Sequence, residues 1–91
     1  MTTLPDEQIK AIVQRVAAAN QIPARAVSTS SILDSSGREA LEVVISIPPG
    51  ASLQIVGSAS ARTVVEVIRK LADAGEERFP IVQFGEMNSA S

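Results

Sequence analysis

Leu41-Glu42-Val43-Val44-Ile45-Ser46-Ile47, closed by Pro48-Pro49-Gly50, is the stretch that decides the fold. Leu41, Val43, Ile45 and Ile47 fall on one side of an extended chain, while Glu42, Val44 and Ser46 fall on the other. A period of two with one apolar side marks a strand buried on a single face. The two prolines cannot donate to a ladder, so the strand stops at residue 47.

Reading outward toward the N-terminus, Asp34-Ser35-Ser36-Gly37 supplies turn chemistry, and Val27 to Leu33 is β-branched but rich in Ser and Thr. These segments predict a hairpin. Its first strand has little apolar pattern to fix a register, which places it at a sheet edge. Farther upstream, Ile9, Ile12, Val13 and Val16 keep the spacing of one helix face and predict a helix from Leu4 to Asn20. Thr3 with Asp6 resembles a capping box around Pro5, Asn20 suits a left-handed cap, and Pro23 blocks continuation.

Toward the C-terminus, Ser52 to Gly57 fits either a helical turn or a short strand. Ser58 or Ser60 then caps a second helix with an apolar stripe of Val64, Val65, Ile68, Leu71 and Ala72. Arg69 and Lys70 sit where cations favour the helix dipole, and Gly75 is the expected residue just past the end. After the loop Glu76-Glu77-Arg78-Phe79-Pro80, Ile81 to Phe84 reads as a final strand, with Phe79 as an apolar lid over the second helix's end. Residues 86–91 form a small polar tail.

The order is α-β-β-α-β in one domain spanning 1–91, an α+β fold with two helices packed on one face of a three-stranded sheet. Strand order is open. A parallel pairing of the last two strands would require a right-handed crossover.

Composition narrows the chemistry. Of 91 residues, 45% are hydrophobic and 20% charged, with a net charge of −2, two Phe, no Cys and no His. Val and Ile supply 19 of the apolar residues. Without Cys there is no disulfide, thiolate metal site or thiol nucleophile. Without His the commonest general base and transition-metal ligand is missing. No stretch approaches the ~20 apolar residues of a membrane-spanning helix, and the start carries no signal-peptide pattern. The chain therefore reads as cytoplasmic.

The remaining constellations are weak. Glu76 and Glu77 beside Arg78 read as a solvated turn with a local ion pair. Glu42, with Arg38 and Glu39 in the adjoining hairpin, reads as a cross-strand salt bridge. The serines from Ser28 to Ser31 have no base to activate them. Gly57-Ser58-Ala59-Ser60 starts a helix but lacks the lysine of a phosphate-binding loop. The element order overlaps that of KH-type RNA binders, yet the second glycine of their GXXG loop and any aromatic platform are absent. No cofactor, metal or catalytic residue emerges.

One resemblance can be placed on residues. Leu41-Glu42-Val43-Val44-Ile45 together with Asp73-Ala74-Gly75-Glu76-Glu77-Arg78-Phe79-Pro80-Ile81-Val82 resembles a group of short bacterial proteins that share a strand, a helix and a Gly-Glu-Glu-Arg-Phe-Pro ending. It covers about half the chain and implies a bacterial source, with no activity to carry over.

These readings converge on a non-enzymatic protein-interaction module, a homodimer or the small subunit of a complex. A neutralising protein for an enzyme or toxin and a KH-like RNA binder are the alternatives. Two helices cover one side of a sheet, so Val44 and Ile81 should share the other. Val44, Ile81, Glu42, Glu76, Glu77 and Arg78 are the candidate interaction residues.

Overall fold

A computed structural model describes residues 3–50 and 57–86. Its elements follow the expected order: helix α1 (Asp6–Ala19), strands β1 (Ala26–Leu33) and β2 (Glu39–Ile47), helix α2 (Gly57–Asp73) and strand β3 (Phe79–Glu86). The sheet order is β1-β2-β3, which answers the question the sequence left open. β1 pairs antiparallel with β2, and β2 pairs parallel with β3. Residues 52–56, where helix and strand were both open, lie outside the described residues, as does the tail from residue 87.

Both helices pack on one face of this mixed sheet. Leu41, Val43, Ile45 and Ile47 of β2 are almost fully buried there against Ile9, Val13, Val16 and Ala17 of α1 and Val67 and Leu71 of α2. β2 is the central strand, so its alternation positions everything else.

The two helices end alike. At α2, the Gly75 N–H donates to the Ala72 carbonyl and the Glu76 N–H to the Leu71 carbonyl, with Gly75 at φ +105. At α1, the Gln21 N–H donates to Ala18 and the Ile22 N–H to Ala17, with Gln21 at φ 61. Each pair of bonds is a Schellman motif, which requires its C′ residue in the left-handed region. Asn20, expected to take that role, is instead the C-cap at φ −101. Ile22 must sit one residue past the left-handed position to bury its side chain, and that places Gln21, not Asn20, at the turn.

Other expectations are corrected at helix starts and faces. Pro5 is the N-cap of α1 with no side-chain cap bond, so Thr3 and Asp6 form no capping box. The Pro5 carbonyl accepts from Gln8 and Ile9, and Asp6 and Glu7 supply first-turn charge instead. α2 starts at Gly57, which leaves Ser58 and Ser60 inside it; the Ser60 hydroxyl donates to the Gly57 carbonyl. The buried line of α2 is Thr63-Val67-Leu71, with Val64 and Ile68 half-buried beside it; Val65 and Ala72 are exposed. Thr63, a polar residue outside the apolar stripe, is tolerated in the core because its hydroxyl donates to the Ala59 carbonyl at 2.8 Å.

Candidate functional site: the open face of the sheet

The strand register fixes which residues share the face that the helices leave uncovered. Across β1, β2 and β3 its rows are Ile32-Ala40-Phe79, Ser30-Glu42-Ile81, Ser28-Val44-Gln83 and Ala26-Ser46-Gly85. The first row is wholly apolar. Phe79 retains 63% exposure, so it is no lid over α2. β3 begins at Phe79, and alternation turns Pro80, Val82 and Phe84 toward the helices and Phe79, Ile81 and Gln83 away.

Val44, Ile81 and Glu42 are therefore neighbours on one face, each half-buried by the side chains around it. Glu42 accepts a hydrogen bond from the Ser30 hydroxyl at 3.3 Å, where the sequence suggested a cation. Beside them lies a shallow depression of about 620 Å³. Ala40, Phe79 and Ile81 give it an apolar lining; Asp34, Arg38, Glu39 and Glu77 give it charges of both signs. Asp34 also organises the hairpin turn, its Oδ1 accepting from the Ser36 N–H and hydroxyl and from the Arg38 N–H. These bonds hold its carboxyl below the usual range, the Ser36 hydroxyl contributing most.

Glu76 and Arg78 are withdrawn from this surface. The expected turn pair exists, but it is buried rather than solvated. Arg78 Nε donates to Glu76 Oε2 at 2.9 Å and a terminal nitrogen donates to Oε1 at 3.0 Å, a two-point fork. Glu76 also accepts from the Leu4 and Arg78 backbone N–H groups, and Arg78 reaches the Ser31 hydroxyl. The pair thus ties the N-terminal entry, the α2–β3 loop and β1 together. Of the two carboxylates in that loop, Glu77 remains exposed. The hydrogen bond from Arg78, opposed by burial, pulls the Glu76 carboxyl down to about 2.

No family model matches the chain, and no curated protein matches it. Two solved structures do, and both are of CzrB, a proposed zinc transporter. One has a TM-score of 0.60 at 19% identity and covers 93% of this chain and 99% of that one. The other, described as the zinc form, has a TM-score of 0.61 at 19% identity and covers 100% and 99%. The likeness is one of fold. It spans both chains almost end to end. Among the described residues no group of three or more His, Cys, Asp or Glu comes together to hold a metal, and no helix is long and apolar enough to cross a membrane.

Proposed function

We propose that this chain is a non-enzymatic protein-interaction module that docks through the open face of its sheet, as a homodimer or as the small subunit of a complex. One observation carries the reading: an apolar row, Ile32-Ala40-Phe79, continues into Ile81 and Val44 on the side opposite the helices. A large exposed ring at the end of such a row stabilises association by about 1.5–3 kcal/mol once covered. The non-enzymatic part rests on a chain with neither His nor Cys, whose strongest charge pair is sealed inside the fold.

The likeness to the zinc-transporter structures is one of fold. Zinc itself is not carried over, since imidazole and thiolate, its usual ligands, are missing from the sequence. A neutralising protein that grips its target through Glu76 and Glu77 is disfavoured because Glu76 is already engaged.

The test is a set of face variants: Val44→Glu, Ile81→Glu and Phe79→Asp. Phe79→Asp should leave stability within about 0.5 kcal/mol, as exposed substitutions do. Particle mass by light scattering, and capture of partners by the tagged protein at native level, should both fall. Unchanged mass and unchanged capture in all three would remove the face from consideration.

A further inference from the structure

The second surface is not a face but an edge. Among the described residues no strand lies beside the outer side of β1, and this strand carries no charge and no proline from Ala26 to Leu33. Edges of this kind are normally blunted by such residues. β3, on the opposite flank, does carry Pro80 and ends in Glu86. The Asp34 N–H donates to the Arg38 carbonyl at 2.9 Å, which sets the phase of the hairpin ladder. Counting back two residues at a time, Ile32, Ser30 and Ser28 bond to β2, and the backbone groups of Leu33, Ser31, Thr29 and Val27 point outward.

We propose that this edge pairs antiparallel with the same edge of a second copy, about a two-fold axis at Ser30. Three independent features fit that occupant. The strand is neutral but is preceded by exposed Arg25 and followed by exposed Asp34, so antiparallel self-pairing brings opposite charges together at both ends, and parallel pairing would oppose like charges. Centring on Ser30 sets Leu33, 69% exposed, against the partner's Val27 on the same side of the sheet. The same register sets Thr29 against the partner's Ser31. Thr29 Oγ1 is a buried hydroxyl with no hydrogen-bond partner among the described residues, and Thr–Ser pairs bond across strands at this spacing.

The product is a six-stranded sheet with all four helices on one side and the two open faces joined on the other. Pairing at the edge does not depend on docking at the face, and the experiment separates them. Amide hydrogen exchange is followed at low and high protein concentration. Thr29 and Ser31 should become protected at least tenfold at high concentration, while Ser28 and Ser30, already bonded to β2, stay constant. Leu33→Lys, at an exposed position, should keep the circular dichroism of the parent and weaken pairing at least tenfold. Arg25→Glu should weaken it several-fold, less so in high salt. Val44→Glu should leave it intact. A chain that stays monomeric up to millimolar concentration overturns the edge and leaves the face reading standing only for a different partner protein. A dimer in which Thr29 and Ser31 exchange equally at both concentrations, or which survives Leu33→Lys, also overturns it.

Discussion

Glu76 occupies the C″ position of the Schellman turn that ends α2, where an apolar side chain is usual, and its carboxylate is shielded from solvent. Such a placement is tolerable only because four donors converge on it. Its carboxyl falls from an ordinary 4.5 to about 2 in the fold. Because the folded value lies below the unfolded one, the stabilisation is complete above about pH 4.5 and is lost as pH falls toward 2. A displacement of that size corresponds to about 3 kcal/mol. Glu76→Gln should therefore cost about 3 kcal/mol at pH 7 and flatten the stability profile between pH 2 and 4.5. Parallel acid limbs for parent and variant in denaturant titrations would contradict this assignment. At the other Schellman turn, Gln21 holds a left-handed φ that glycine adopts without a Cβ penalty. Gln21→Gly should raise stability by up to about 1 kcal/mol, read from the urea midpoint at constant slope.

The elements themselves were legible where a period was unbroken. β2 was readable to within two residues because four aliphatic side chains alternate without interruption, and α1 because Ile9, Val13 and Val16 return every turn. What escaped was set by neighbours in space. Phe79 was read as a lid because a ring before a proline looks like core, but β3 starts earlier than its aliphatic run and alternation turns the ring out. Val65 fits an apolar stripe on paper; the polar Thr63 takes the buried place by bonding within its own helix. The burial of Glu76 and Arg78 had no sequence signal beyond their spacing, since it depends on Leu4 and Ser31, distant in the chain. The open face was half legible: Val44 and Ile81 followed from alternation, whereas Ile32 joined them only through the β1 register.

At the scale of the molecule, the core is aliphatic and small. Ninety-one residues bury Val, Ile, Leu and Ala, with Phe84 partly buried as the aromatic contribution, and backbone ordering opposes this at about 1–2 kcal/mol per residue. Domains of this length keep only a modest surplus, so an association that covers Phe79 or completes the edge of β1 is a substantial fraction of it. Such coupling has a thermodynamic signature that needs no variant. If folded chains pair and unfolded chains do not, mass action stabilises the folded state as concentration rises. Tenfold more protein adds about 0.7 kcal/mol per chain, half of the 1.4 kcal/mol that a factor of ten represents for the pair. With an unfolding entropy of roughly 2 cal/mol/K per residue, a chain of this length should melt about 3–4 °C higher for each decade of concentration. Scanning calorimetry over two decades would show that slope in the parent and lose it in Leu33→Lys. A melting temperature independent of concentration in the parent would mean that one chain alone is the folding unit, and its apolar row would then await a different protein.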